Sequence, residues 1–255
     1  EGEKYSGKEK EIYEAGKMLG EIHHLSPSSN TYDLYEYDVY DFNEQEVEES
    51  VEAIIQHAEK AGVEVDSTLK TKLLESVANQ QELSEVGLLH VATPHDYKAN
   101  NLVFIPAPYL IDPDNAGWIP RIFDLALTLL LFHNEHEEAP DHVFTINEWD
   151  LFLSGYKEYI NFTEQEMFWW EKAKQHVFLD EVMWLMAEYE EDWQNPSQQQ
   201  LFKSLIRMVL DGSDYKALQF GGVVGTIVSG SVGFIKEEVT TPEVSKPEVE
   251  PTIAE

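Results

Sequence analysis

Cysteine is absent from this sequence of 255 residues. Disulfide bonds and thiolate metal sites are therefore excluded, and the composition fits a reducing compartment such as the cytoplasm. Long apolar runs are absent too, because no stretch approaches the roughly 20 apolar residues that a membrane-spanning helix requires. The longest candidate, 125–132, is equivalent to about two helical turns. We therefore expect a cytoplasmic protein that does not use a membrane as a partner.

Basic residues are scarce. The chain has 17 Lys and Arg against 49 Asp and Glu, which gives a formal net charge of −32. Nucleic acids and anionic membranes are bound through clustered Lys and Arg, so neither is expected as a partner. A cationic small molecule would be tolerated or attracted. The hydrophobic content of 42% and aromatic content of 12% predict a folded body of one or two domains.

The most informative stretch is 88–132. Two short apolar runs, 102–105 and 109–111, flank a proline-containing segment at 106–108. This order is typical of a strand, a tight turn and a returning strand. The sequence therefore predicts a small β-hairpin.

Polar residues stand on both sides of this predicted hairpin. Asp96 is followed five residues later by Asn101, and Asp112 with Asp114 follows the second strand. Transfer of a γ-phosphoryl group requires a carboxylate that accepts the proton of the attacking hydroxyl, and oxygen ligands that hold Mg²⁺. Asp96 fits the base, whereas Asn101 and Asp112 fit the metal ligands. Protein kinases use the same Asp-to-Asn spacing.

Each of these residues also has an ordinary structural interpretation. Asp96 and Asn101 are frequent in turns because their side chains bond to nearby backbone groups. The segment 112–115 could be a solvated turn, and Asp124 could cap a helix. The ordered set nevertheless favours phosphoryl-transfer chemistry over four unrelated turns.

The stretch resembles the aminoglycoside/choline kinase-like phosphotransferase family, whose members share the protein-kinase-like fold. The family pattern H-x-D-x-x-x-x-N, then an I-D-x-D/E strand end and a D-L-A helix, falls on Asp96, Asn101, Ile111, Asp112, Asp114 and Asp124. One position departs from the pattern. Pro94 stands where the family has His, and the nearest imidazole is that of His95.

The resemblance implies a role for each matching residue. Asp96 would be the catalytic base, and Asn101 and Asp112 would hold Mg²⁺. Lys98 and Asp114 would lie on the phosphate or substrate side. His95 and Asp124 would support the site structurally. ATP would be the phosphoryl donor.

The resemblance also implies the domain organisation. The opening helix is similar to the first helix of the family's C-terminal lobe, and no Gly-rich phosphate loop precedes Asp96. We therefore expect residues 1–215 to form that lobe, mainly α with a small β-hairpin, without the N-terminal ATP-binding lobe. A Gly-rich appendage at 216–234 is expected to follow. The last segment, 235–255, has the composition of a disordered acidic tail.

Two further segments leave alternatives open. The segment 31–42 alternates aromatic and acidic residues, so its tyrosines could pack in an extended linker or form an aromatic wall facing a substrate.

Thr163 with Glu166 predicts a capping box that opens a long helical stretch to about Trp193, and Ser6 with Glu9 predicts another capping box. Acids in the long stretch, including Asp180 and Glu181, form either a solvated face or a pocket for a cationic acceptor.

These observations predict an ATP- and Mg²⁺-dependent O-phosphotransferase that acts on a hydroxyl of a small, cationic molecule, aminoglycoside-like or choline-like. A rival hypothesis is a catalytically inactive, kinase-like binding module. Pro94 and the expected absence of an N-terminal lobe favour that rival.

Overall fold

The computed structural model describes residues 2–39, 42–134, 139–212 and 215. These residues form a mainly helical body with two small sheets, as the fold-class prediction required; the assignment to a C-terminal lobe stays a prediction. The predicted appendage at 216–234 and the tail at 235–255 lie outside the described residues. Among the described residues, no helix has the length and hydropathy needed to cross a membrane.

The helices and strands of the described residues follow one another along the chain. The helices are α1 (Glu9–Leu25), α2 (Glu44–Lys60), α3 (Thr68–Glu85), α4 (Arg121–Leu131), α5 (Ile146–Tyr156), α6 (Glu164–Val177), α7 (Met183–Glu188) and α8 (Pro196–Asp211). The strands are β1 (Glu3–Lys4), β2 (Tyr35–Glu36), β3 (His90–Thr93), β4 (Leu102–Ile105), β5 (Ala107–Leu110) and β6 (Gly117–Pro120).

Each sheet has three strands. In the first, β4 lies between β1 and β5 and pairs antiparallel with both. This confirms the predicted hairpin, although its second strand begins at Ala107, which pairs with Ile105 around Pro106. In the second sheet, β6 lies between β2, which is parallel to it, and β3, which is antiparallel. Among the described residues of the predicted extended segment 31–42, only the two residues of β2 form a strand.

One of the two predicted capping boxes is correct. At the start of α6, the hydroxyl of Thr163 accepts from the backbone N–H of Glu166 (3.1 Å), and the Glu166 carboxylate accepts from the backbone N–H of Thr163 (2.8 Å). The predicted pairing of Ser6 with Glu9 is wrong. The Ser6 backbone N–H donates to Glu11 instead (2.8 Å), because α1 begins only at Glu9.

A buried ion pair joins the beginnings of two helices. The guanidinium of Arg121, at the start of α4, donates from Nε and Nη2 to the two carboxylate oxygens of Glu166, at 2.7 and 2.6 Å. Both side chains are buried. Since α4 follows β6 directly, this bidentate pair ties the second sheet to α6.

Helices α1 and α5 cross so closely that their backbones are in contact. A Cβ added to Gly16 would lie 1.9 Å from the backbone oxygen of Phe152, and one added to Gly155 would lie 2.1 Å from that of Tyr13. Glycine is required at both positions because any side chain would separate the helices. The close crossing brings the C-terminal turn of α1 next to Tyr156.

The predicted long helical stretch from Thr163 is interrupted in its middle. A π-helical turn, Phe178–Val182, lies between α6 and α7, and a 3₁₀ turn, Glu190–Gln194, follows α7. Turns with π geometry fit one additional residue into a helix and frequently occur at functional sites. This turn carries Asp180 and Glu181.

Candidate active site

The loop between β3 and β4 holds the predicted catalytic residues. A 3₁₀ turn, Ala99–Asn101, folds the end of this loop back towards its beginning. As a result, the Asn101 amide nitrogen donates to the backbone oxygen of Asp96 (2.8 Å) and to its carboxylate Oδ2 (3.1 Å). The Lys98 ammonium lies 3.2 Å from the same Oδ2. The structure therefore brings together three of the predicted residues, with Asp96 at the centre.

The second predicted cluster follows β5. The backbone N–H of Ile111 donates to the backbone oxygen of Asn101 (2.8 Å), so Asp112 comes one residue after a direct link to the first cluster. Asp112 has a φ of +61°, a left-handed conformation that Asp adopts more readily than most residues. Its side chain is exposed, as is that of Asp114. No described hydrogen bond or ion pair joins Asp114 to Asp96.

The donor set fits a hard cation. The Asn101 amide nitrogen donates a hydrogen bond to Asp96, so the amide oxygen is the atom of Asn101 that would ligate a metal. The Asp112 carboxylate would supply a second oxygen, and Mg²⁺ takes few protein oxygens when phosphates complete its shell. In the described part of the chain, no group of three or more His, Cys, Asp and Glu side chains forms a metal site by itself.

Asp124 lies beneath the catalytic loop. Its side chain is 1% exposed, and its Oδ2 accepts from the Thr93 hydroxyl (3.0 Å) and lies 2.9 Å from Nε2 of His23. The other imidazole nitrogen of His23 lies 2.7 Å from the Tyr156 hydroxyl. Thr93 immediately precedes Pro94, so this buried network holds the start of the loop at the position where the family's His is missing.

A cavity of about 450 Å³ opens beside Asp96. Its lining combines side chains of the catalytic loop with side chains of β2, the π-helical turn and α7: His95, Asp96, Lys98, Tyr35, Glu181 and Trp184. Tyr35 is 67% exposed at the edge of the cavity and Trp184 is partly exposed. The lining therefore combines two carboxylates, two basic side chains and two aromatic rings.

Burial raises the pKa of Glu181, and the charges of Asp180 and Asp96 raise it further, whereas the charge of His95 lowers it. The His95 imidazole lies 3.7 Å from the Glu181 carboxylate. Crowded carboxylates repel one another, so a cation placed among them is favourable. The arrangement can bind a positively charged group within the same cavity as the Asp96 carboxylate.

The positions of these side chains bear on the alternatives that the sequence left open. Glu181 lines the cavity, and Asp180 accepts a hydrogen bond from the Tyr37 hydroxyl, so neither residue belongs to a simple solvated face. Of the tyrosines in 31–42, Tyr35 lines the cavity but Tyr37 is buried. Sequence reasoning did not assign His23 or Thr93 to the site, because nothing local marks a residue of α1 or β3 as a partner of Asp124.

Comparison with known proteins identified a matching family and similar solved structures. The model of the phosphotransferase enzyme family (APH) matches residues 1–170. Among solved structures, a choline kinase from Cryptosporidium parvum Iowa II is 13% identical with a TM-score of 0.42, covering 85% of this chain and 73% of that one. An ethanolamine kinase from Plasmodium vivax is 13% identical with a TM-score of 0.44; the match covers 80% of this chain but only 62% of that chain. Comparison with curated proteins gave no match.

Proposed function

Because this chain belongs to the phosphotransferase enzyme family, we propose that it carries the catalytic loop and acceptor site of an ATP- and Mg²⁺-dependent O-phosphotransferase. The proposed acceptor is a small, cationic molecule with a free hydroxyl, aminoglycoside-like or choline-like. One observation carries the proposal: the Asp96 carboxylate, held by Asn101 and Lys98, lines the same cavity as Glu181 and Trp184.

Asp96 acts as the general base. Its carboxylate accepts the proton of the acceptor hydroxyl while the hydroxyl oxygen forms a bond to the γ-phosphorus and the bond from that phosphorus to ADP breaks. The hydrogen bond from Asn101 fixes the carboxylate, and the Lys98 ammonium, 3.2 Å from Asp96 Oδ2, would contact the transferred phosphoryl group. Asn101 and Asp112 would hold Mg²⁺, which neutralises phosphate charge when bound.

The far side of the cavity selects the acceptor. A positively charged acceptor group would lie against the Glu181 carboxylate, where the neighbouring acids Asp180 and Asp96 favour a cation. The Trp184 and Tyr35 rings would cover it, because aromatic faces attract ammonium groups. Glu181 and Trp184 bind the cation, whereas Asp96 faces the hydroxyl. A molecule of the amino-alcohol type has both groups at the required ends.

Substitution of the base tests this proposal. We expect Asp96→Asn to lower the rate of phosphoryl transfer to amino alcohols by at least about a hundredfold, because the proton acceptor is lost. The rate is measured by ADP release across a panel of amino alcohols. The control is Asp150→Asn, an exposed carboxylate on α5, which should leave the rate unchanged.

Nucleotide binding provides a second test. Titration with ATP should show affinity that requires Mg²⁺ and falls in Asp112→Ala. The rival, an inactive binding module, predicts no turnover and no metal-dependent nucleotide affinity, and Asp96→Asn would then leave every binding property intact. That pattern would contradict the proposal.

A further inference from the structure

The buried side chain of Tyr37 contacts His95, which lines the cavity, and Asp180, which precedes the cavity residue Glu181. Its ring meets the His95 ring edge-on, with centroids 5.9 Å apart, and meets the Phe123 ring in the same way at 5.5 Å. Its hydroxyl donates to the Asp180 carboxylate. Asp180 precedes Glu181, and His95 precedes Asp96. Tyr37 therefore contacts the neighbour of each carboxylate that faces the acceptor.

The donor and acceptor of each hydrogen bond made by the Tyr37 hydroxyl can be assigned. The Tyr37 hydroxyl donates its only proton to Asp180, so it must accept from Nε2 of His176, which lies 3.2 Å away. The other His176 nitrogen is buried without a hydrogen-bond partner, as expected for the unprotonated nitrogen of a neutral imidazole. Burial lowers the pKa of His176 to about 4, which keeps the ring neutral at ordinary pH. His176 therefore donates to Tyr37, and Tyr37 donates to Asp180.

The π-helical turn makes this support necessary. Within Phe178–Val182 the α-helical hydrogen-bond pattern is replaced, and α-helical bonds resume only in α7. Irregular turns persist when surrounding contacts fix them. Tyr37 comes from the segment that follows β2 and is itself held by its backbone N–H, which donates to the Trp118 oxygen of β6 (3.2 Å). A residue that follows β2 and is bonded to β6 therefore holds the helical turn that carries Glu181.

We propose that Tyr37 is a positioning residue for acceptor specificity: by holding Asp180, it keeps the Glu181 carboxylate directed at the cationic group of the acceptor. This inference rests on the proposed function, since it assigns the cause of the cation preference of the same cavity. Tyr37 does not touch the acceptor, and it acts through Glu181.

The test uses the full chain and two probes of the same shape, choline and its uncharged isostere 3,3-dimethylbutan-1-ol. Isothermal titration calorimetry should show that the unaltered chain binds choline more tightly than the neutral alcohol. In Tyr37→Phe, which keeps the ring on His95, choline should bind about tenfold more weakly, and the neutral alcohol should change by less than about twofold.

The control is Tyr5→Phe. Tyr5 is also buried, and its hydroxyl also contacts an imidazole, Nε2 of His133 at 2.9 Å, but it does not line the cavity. This variant should leave both affinities unchanged. A double-mutant cycle supplies the decisive readout. In a Glu181→Gln background, Tyr37→Phe should have no further effect on choline, because the group through which it acts has lost its charge.

Four results would overturn the inference. An unchanged choline affinity in Tyr37→Phe removes the role of Tyr37 and leaves the proposed cationic acceptor intact. Equal losses for both probes, or an undiminished effect in the Glu181→Gln background, would mean that Tyr37 serves general packing. No preference for choline in the unaltered chain contradicts the proposed acceptor class and the inference with it. If Tyr37→Phe does not fold by circular dichroism, Asp180→Ala removes the same bond. Because Asp180→Ala also removes a negative charge near the cation, only the part of its effect on choline that disappears in the Glu181→Gln background supports the inference.

Discussion

Single side chains show how the chemistry of the cavity is set. Glu181 lies among like charges, and burial, together with Asp180 and Asp96, raises its pKa above the ordinary value of 4.5. A carboxylate with a raised pKa takes up its proton at a higher pH than usual. A cation bound beside Glu181 needs the ionised form, so binding of a cationic acceptor must weaken as the pH falls through this raised pKa.

This gives a prediction for pH dependence. As the pH is lowered from 8, the affinity for choline should fall at a pH above 4.5, before an ordinary glutamate would be protonated. Calorimetric titrations with choline at a series of pH values would measure this fall in affinity. The Glu181→Gln variant should bind weakly with no such step. An unaltered chain whose affinity stays constant down to pH 4.5 would show that Glu181 does not hold the cation.

The residues that the sequence located are close together along the chain. Asp96, Lys98 and Asn101 lie within one loop, where a fixed spacing and a 3₁₀ turn determine which atoms meet. The sequence could not locate His23 and Glu181 in the same way, because their partners are distant. His23 is 101 residues from Asp124. Such groups come into contact only in the folded chain, and no local sequence pattern indicates these contacts.

Secondary structure elements were predictable where their signals are local. The hairpin and the Thr163 capping box agree with the sequence patterns. The π-helical turn was not predicted, because apolar residues recur through it with a spacing that resembles an ordinary helix. The pairing of β2 with β6 was not predicted either, since a strand of two residues has almost no periodicity.

The crossing of α1 and α5 leads to a prediction about stability. Gly16→Ala would place a methyl group 1.9 Å from the Phe152 oxygen, so the helices must separate. We expect the free energy of unfolding to fall by about 1–3 kcal/mol, the usual range for overpacking, although alanine is the better helix former. Urea denaturation would measure this change.

The control for this substitution is Glu21→Ala, on the exposed side of the same helix. It should change the free energy of unfolding by no more than about 0.5 kcal/mol. Gly16→Ala with unaltered stability would show that the two helices can move apart at no cost. Because His23 and Tyr156 bond across this crossing, a separation would also be expected to slow phosphoryl transfer.

At the scale of the whole molecule, the charge of −32 acts on any ligand that approaches. Raising the salt concentration from 0.15 to 1 M shortens the Debye length from about 8 to about 3 Å. We expect the affinity for choline to fall severalfold over this range, because the attraction of the acidic surface is screened. The affinity for the uncharged isostere, measured by the same calorimetry, should not fall. Equal sensitivity of the two probes would contradict an electrostatic contribution.

The π-helical turn also affects how this chain must be aligned with its relatives. A π turn accommodates one residue more than the α-helix that it replaces. A relative whose helix is regular throughout therefore has one residue fewer between the positions of Trp169 and Met186. An ungapped alignment of such a pair would place the counterpart of Glu181 one position away, on a different side of the helix. A single-residue gap within 178–182 restores the correspondence, and acceptor preferences can be compared between sequences only after that gap is inserted.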